Sequence, residues 1–413
     1  MQTTKKYWED AFVFSFEGKV MEVIQEEARI GIIFDESYFY PEGGGQPSDR
    51  GMIASSPVMD VQEMDEKIVH YVPLTETARK YFVPGSWVSC EIDRDFRINN
   101  MRLHTTCHIL FGAARKLFGE VGYAGFNIGE VGNLYLETPR QIRSEDLREI
   151  SSLANEIVVA DRQVTSSFVS ADQAKSMKEL AYNLELPKGQ VRIIEVAGWD
   201  IAACSGTHMQ RTVELGPIKV IAREIHKKNV TRIDYAVGKR AIEEMARDDK
   251  SLSETAEFLG TSKDQTPILV RKLSNEYQTA QKDLRQIRER LMESRVKELR
   301  ASDGEMIAGV KLITDRVDFL DANAMKTMVL KLLNGVTNMV VVIIGGMDSL
   351  SVVAGCSSDL NLLISQPIVA IAKKYGGGGG GKPTFVSAGG IQCQNEQLMM
   401  ELRGQISQAI LSR

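Results

Sequence analysis

Two short segments about a hundred residues apart each carry a pair of metal-ligand side chains four positions apart. His104 and His108 lie in Leu-His-Thr-Thr-Cys-His-Ile-Leu, and Cys204 and His208 lie in Ala-Cys-Ser-Gly-Thr-His. The chain has five histidines and five cysteines, and these two segments hold three and two of them. Three imidazoles and a thiolate form a borderline-soft set suited to zinc, with bonds of about 2.0–2.3 Å. A fold that uses all four must bring the segments together. Apolar Leu103, Ile109 and Leu110 flank the first pair, which reads as helical. Residues four apart on a helix share a face, so both rings can reach one ion. The second pair follows a strand-like run and contains Gly206, so it reads as a loop. A single buried histidine is more often a hydrogen-bonded core residue than a ligand. Two pairs of matching chemistry are much harder to obtain by accident, and one zinc ion per chain is expected. Cys107, inside the first motif, is a rival ligand but reads as a small buried thiol. Thr105 and Thr106 fill the middle of this motif, unlike the His-Glu-x-x-His of metalloproteases, so no carboxylate base is built in.

The length of 413 residues allows two to four domains. With 43% hydrophobic and 25% charged residues, the composition is that of a soluble globular protein. No apolar stretch reaches the ~20 residues of a membrane span, and residues 1–10 lack the apolar core of a signal peptide. Five scattered cysteines suit a reducing, cytoplasmic setting, with no membrane partner. A net charge of -5 gives no global attraction to nucleic acid, so such binding must use local patches.

The expected fold class is α+β and multidomain. Residues 1–93 read as a small β-barrel, with strands at Lys19–Ile24, Arg29–Phe34, Lys67–Pro73 and Ser86–Ile92. Within it lies a glycine motif around Gly43, Gly44 and Gly45, whose bare backbone allows close approach by a partner. Residues 94–245 mix helix and strand and form the α+β zinc-containing domain. Glu145–Val158 has helical apolar spacing, and Val191–Val196 reads as a strand. Arg223, Lys227, Lys228 and Arg232 make a local basic patch. Such patches are usually solvated faces, but they also suit a phosphate backbone. Residues 246–303 read as a helical hairpin broken near Gly260 and Pro267, with a heptad seam of Leu273, Tyr277, Ala280, Leu284, Ile287 and Leu291. Residues 304–413 alternate strand and helix as a C-terminal α/β domain. There Gly376–Gly381 read as a flexible loop beside Lys382, a candidate RNA contact. The run misses the phosphate-loop pattern, because Pro383 stands where a hydroxyl is needed and a helix precedes the glycines.

Together these segments resemble the alanyl-tRNA editing proteins of the long AlaX type, relatives of the editing part of alanyl-tRNA synthetase. Phe39-Tyr-Pro-Glu-Gly-Gly-Gly-Gln-Pro47 is similar to the family's glycine motif. His104–His108 and Cys204–His208 are similar to its metal motifs, which threonyl-tRNA synthetase editing domains share. Gly376–Gly381 with Lys382-Pro383 and Ala388-Gly-Gly390 is similar to its C-terminal signature. The resemblance implies zinc-dependent deacylation of mischarged tRNA(Ala), chiefly Ser-tRNA(Ala) and also Gly-tRNA(Ala), without ATP and without an aminoacylation core. It also implies a C-terminal domain that supplies tRNA affinity or a homodimer contact. Four protein ligands close a tetrahedral site, whereas a catalytic zinc needs an open position. The ion either expands its shell or shapes a pocket in which hydroxyls position the water, with Thr105, Thr106 and Thr207 the nearest candidates. Two other classes stay open: a cysteine hydrolase using Cys204 as nucleophile, and a non-catalytic tRNA-binding protein with a structural zinc.

Overall fold

The computed structural model describes residues 2–178, 180–181, 186, 189–346 and 349–413. The chain forms two compact units, Met1–Ser262 and Lys263–Arg413.

The first unit opens with a seven-stranded antiparallel sheet. Its order is Ser56–Val58, Gly51–Ile53, Trp87–Ile92, Ser15–Gln25, Arg29–Phe34, Lys67–Pro73, Asp60–Met64. It curls until one end meets the other, and Met59 N donates to Tyr71 O at 2.8 Å, leaving a nearly closed barrel. The core alternates with the pleat: Val88, Cys90 and Ile92 point inward along one strand, and Trp87, Ser89 and Glu91 point out. A short helix α1 (Glu76–Tyr81) starts on the Thr75 cap.

Helix α2 (Arg94–Phe118) follows. Asp93 caps it by accepting from Phe96 N at 3.0 Å, and Gly119, at φ +77°, stops it. Every residue from Leu103 to Ala114 is buried, so this helix runs through the interior rather than lying on a surface. Gly112 makes room for Trp199, whose indole would lie 2.5 Å from a Cβ there. A four-stranded antiparallel sheet packs against it, ordered Gly122–Ile128, Gly132–Glu137, Val230–Val237, Ile218–Lys227. Helix α3 (Ser144–Val159) buries Ile150, Ala154 and Ile157 in the same core. A three-stranded antiparallel sheet, Val164–Ser170, Gln190–Val196 and Asp200–Ala203, leads into Cys204. A short helix α4 (Ala171–Ser176) leaves it on a Ser170–Gln173 capping box, and α5 (Gly238–Phe258) ends the unit.

The second unit begins with α6 (Thr266–Ala301), which has Pro267 in its first turn. Gly260, at φ +63°, and Pro267 separate α5 from α6 as the sequence predicts. Met292, Val296 and Leu299 are buried near the end of α6, whereas the seam residues Leu273, Tyr277, Leu284, Ile287 and Leu291 are all exposed. Helices α7 (Ala322–Leu333), α8 (Ser365–Lys374) and α9 (Asn395–Leu411) pack on a six-stranded sheet. Its order is Glu305–Ile307, Val310–Arg316, Met339–Gly345, Leu350–Cys356, Phe385–Ile391, Gly378–Lys382. Only Val310–Arg316 and Met339–Gly345 run parallel. The sheet is therefore mixed and mostly antiparallel, with Leu350–Cys356 pairing antiparallel to Met339–Gly345.

The glycine run also corrects the loop expectation. Gly378–Lys382 is an edge strand, exposed throughout and paired with Phe385–Ile391. A Cβ on Gly379 would lie 2.4 Å from that of Ala388, and one on Gly381 would lie 2.2 Å from Phe385 O. Alternate positions press on the neighbouring strand, so glycine here serves packing rather than flexibility. Among the described residues, no helix is long and apolar enough to cross a membrane.

Candidate metal centre and its cavity

Helix α2 and the turn after Asp200–Ala203 bring His104, His108, Cys204 and His208 together. One ligand atom from each lies within 4.8 Å of all the others. Cys204 Sγ is 3.2 Å from His104 Nε2 and 3.3 Å from His208 Nε2. Zinc bonds of ~2.0–2.3 Å at tetrahedral angles put ligand atoms about 3.3–3.6 Å apart, so these spacings need little adjustment. Among the described residues His108 Nε2 is buried without a hydrogen-bond partner, which is costly unless something else occupies its lone pair. The donor set and this orphaned nitrogen fit a zinc-type ion.

Each imidazole is gripped by its other nitrogen. His104 Nδ1 donates to Gln46 Oε1 at 2.8 Å, and His108 Nδ1 donates to Asp200 Oδ2 at 3.0 Å. His208 Nδ1 lies 3.4 Å from Thr105 Oγ1, which donates to Met101 O and accepts from Met209 N. These partners leave all three Nε2 atoms to the centre, the usual outer support of a metal site. Burial opposes ionisation of the Cys204 thiol, but His104 and His208 beside it hold it well below the ordinary thiol value. Burial pushes His208 below the ordinary imidazole value. Cys107 is raised well above the thiol range by burial, which suits a packing role.

The glycine motif reaches this centre. Gly45, at φ +86°, sits where a Cβ would fall 2.1 Å from Phe126 O, so only glycine lets the loop approach. The next residue is Gln46, fully buried, whose Nε2 donates to Thr207 Oγ1 at 2.9 Å while Oε1 also accepts from Thr207 N at 3.2 Å. Gly44 faces Ser205, and Tyr40 Oη donates to Gly43 O. The same loop is tied to α2 by a fully buried ion pair between Asp49 and Arg97. Arg97 Nη1 also donates to Ala11 O at 2.9 Å and Nη2 to Tyr38 O at 2.6 Å.

A cavity of about 500 Å³ opens beside the centre. His104, His108 and Cys204 line it with Gly44, and Trp8, Phe111, Tyr123 and Phe168 form much of its apolar wall. Among the described residues Arg192 and Asp200 are its charged groups, and both escaped the sequence reading because neither sits in a recognisable motif. Arg192 Nη1 donates to Cys204 O at 3.0 Å and Gly206 O at 2.8 Å, while its Nε has no partner. Trp8 Nε1 donates to Ser205 O at 2.9 Å, fixing the indole beside the cavity.

Thr105, Thr106 and Thr207 are wholly buried, and none lines this cavity. Thr105 and Thr207 hold ligand-bearing segments, and Thr106 Oγ1 has no hydrogen-bond partner. In the basic patch, Arg232 is paired with Asp234 at 2.7 Å and Glu224 at 3.4 Å, and Arg223 donates to Ile142 O. Lys227 and Lys228 stay exposed at the hairpin tip. Lys382 ends the glycine strand of the other unit.

Two family models match parts of the chain. The family described as tRNA synthetases class II (A) matches residues 3–96, and the second additional domain of threonyl and alanyl tRNA synthetases matches residues 191–234. The alanine–tRNA ligase of Methanopyrus kandleri is 30% identical over 402 residues, covering 94% of this chain and 43% of the ligase. Over nearly its whole length the chain is similar to part of these alanine–tRNA ligases. The ligases of Thermococcus kodakarensis and Pyrococcus abyssi are 33% and 32% identical, covering 72% and 92% of the chain. They are covered over 32% and 41% of their own length, so the chain spans well under half of these relatives. The crystal structure of the C-Ala domain from Aquifex aeolicus alanyl-tRNA synthetase aligns with 26% of this chain and 98% of its own length. Its identity is 18% and its TM-score 0.24, too low to inform the fold.

Proposed function

We propose that this AlaX-like chain hydrolyses the ester between an amino acid and the 3′-terminal ribose of tRNA(Ala). Its chief substrate is Ser-tRNA(Ala), Gly-tRNA(Ala) is a second, and correct Ala-tRNA(Ala) is largely spared. The observation that carries this reading is a four-donor cluster beside a largely apolar cavity, in a chain related to alanine–tRNA ligases. The chemical need is real. A binding pocket for alanine rejects glycine by only ~1–3 kcal/mol and excludes an added hydroxyl poorly, so errors must be destroyed at a second site.

Zinc held by His104, His108, Cys204 and His208 would act as a Lewis acid toward the ester or a water. The chain's own groups do the rest. Arg192 places a positive charge in the cavity wall, and the aromatic wall limits competing water. Gly44 leaves the cavity rim bare for the tRNA end. Arg223, Lys227, Lys228, Arg232 and Lys382 remain proposed phosphate contacts, with Lys227 and Lys228 the least encumbered of the hairpin group. The four-part division at 93, 245 and 303, and a tRNA or homodimer role for residues 304–413, are parts of the same proposal.

The test is residual acylation of Ser-, Gly- and Ala-tRNA(Ala) after incubation with metal-loaded protein. Loss of the serine ester with retention of the alanine ester is expected. Equal rates on all three, or none, would refute editing. Stoichiometric zinc with tRNA binding but no turnover would favour a structural ion.

A further inference from the structure

We propose that Asp200 is the positioning residue of this metal centre. It fixes the ring and tautomer of His108 so that Nε2 faces the ion, while Arg115 steadies its second oxygen. The inference rests on the metal reading above and adds to it an outer carboxylate that no sequence motif marks.

Asp200 is 5% exposed. A carboxylate taken that far out of water costs several kcal/mol unless hydrogen bonds and positive charge compensate it. The compensation in hand is thin. Oδ2 has one hydrogen bond, from His108 Nδ1 at 3.0 Å. Among the described residues Oδ1 has no hydrogen-bond partner, and it lies 3.7 Å from Arg115 Nη1, too long for a hydrogen bond. The missing compensation has an obvious place. His108 Nε2, across the same ring, is the buried nitrogen without a partner. A divalent cation there would supply the charge that Asp200 lacks and occupy the lone pair that His108 leaves unused. The two unsatisfied groups are two ends of one arrangement, carboxylate–imidazole–ion.

The three ligand histidines are not equivalent. His104 is supported by the neutral amide of Gln46 and His208 by a hydroxyl at 3.4 Å. Among the described residues only His108 is backed by a carboxylate, the kind of partner that strengthens a histidine ligand. Connectivity reinforces the role. Asp200 opens the strand Asp200–Ala203, and the next residue is Cys204, so one short extended segment delivers both a ligand and the support of another. Asp200 also borders a second, polar recess of about 590 Å³, lined by Arg115, Lys116 and Arg162.

The experiment uses the full chain as wild type, Asp200→Asn and Arg115→Met. Zinc affinity is measured at fixed pH by competition with a chromophoric chelator. Visible spectra of the cobalt forms and ¹⁵N shifts of the histidine nitrogens report ligand geometry and tautomer. Expected results are a 10–100-fold loss of zinc affinity in Asp200→Asn, an altered cobalt spectrum, and a smaller loss in Arg115→Met. Wild type in which His108 binds metal through Nε2, with Nδ1 protonated, is also expected. If the wild type binds no metal, the metal reading itself fails. If it binds metal and Asp200→Asn matches it within twofold with the same spectrum, Asp200 is not a positioning residue. Should Asp200→Asn fail to fold, the wild-type tautomer decides: coordination through Nδ1 overturns the proposal.

Discussion

Replacing Arg97 with methionine isolates the joint between the barrel and the ligand-bearing helix. Arg97 stands near the start of α2, about two turns before His104, and its side chain is fully buried with that of Asp49. Methionine can follow the arginine stem but carries no charge. The substitution leaves the Asp49 carboxylate buried with Tyr40 N, at 2.6 Å, as its surviving main-chain donor. It also strips partners from Ala11 O and Tyr38 O. Removing one member of a buried ion pair costs about 3–5 kcal/mol, because the other charge stays behind. At roughly 2–4 °C per kcal/mol for a unit of this size, Tm should fall by about 6–20 °C. Asp49→Asn should cost a comparable amount. The double variant Arg97→Met, Asp49→Asn should lose less than the sum, since no lone charge remains. Circular dichroism melts of the full chain, following the first unit's transition, provide the readout. A single Arg97→Met variant within 1 kcal/mol of wild type, or strict additivity in the double, would refute the reasoning.

Three further outcomes follow from the site and the barrel. Gln46→Leu removes the acceptor for His104 Nδ1 and leaves Thr207 N unpaired, so zinc affinity should drop about tenfold in chelator competition; unchanged affinity contradicts the assigned role. Gly206→Ala places a methyl 2.2 Å from His104 Cε1, far outside the ~0.2 Å tolerance of a metal bond, and elemental analysis should find the variant depleted of zinc. His70 is buried neutral, with Nδ1 donating to Ile32 O and Nε2 accepting from Ser37 Oγ, and burial lowers it to about 4. Its contribution is complete above the unfolded value near 6.5 and drains away as pH falls toward about 4, because the unfolded chain takes up the proton first. Urea melts should show up to about 3 kcal/mol of this loss, and His70→Gln should flatten the slope.

The strands Arg29–Phe34 and Lys67–Pro73 and helix α3 were legible because short apolar runs and 3.6-residue spacing report burial directly. The donor cluster was legible because paired i, i+4 ligands are rare. What supports the cluster was not. Gln46 is one polar residue after three glycines, and Asp200 one acid among many, and only tertiary approach gives either a partner. The glycines near 380 misled for a related reason. Sequence shows their freedom, while the need for them comes from the strand lying alongside. The α6 seam has the heptad spacing of a buried stripe yet lies exposed, since period records where apolar residues fall and not whether anything covers them.

The donors of the metal centre come from one helix and one turn, and their supports from a loop near residue 46 and a strand at residue 200. A chain still being synthesised therefore cannot own a complete binding site until His208 has emerged, by which time the barrel has long been available to fold. Before that moment His104 and His108 offer only a loose two-point grip. Metal capture at the proposed site would then be a late event, dependent on barrel, helix and turn having met. A pulse of zinc during refolding should be retained only by molecules that have passed this checkpoint, giving a clock for the final step of assembly.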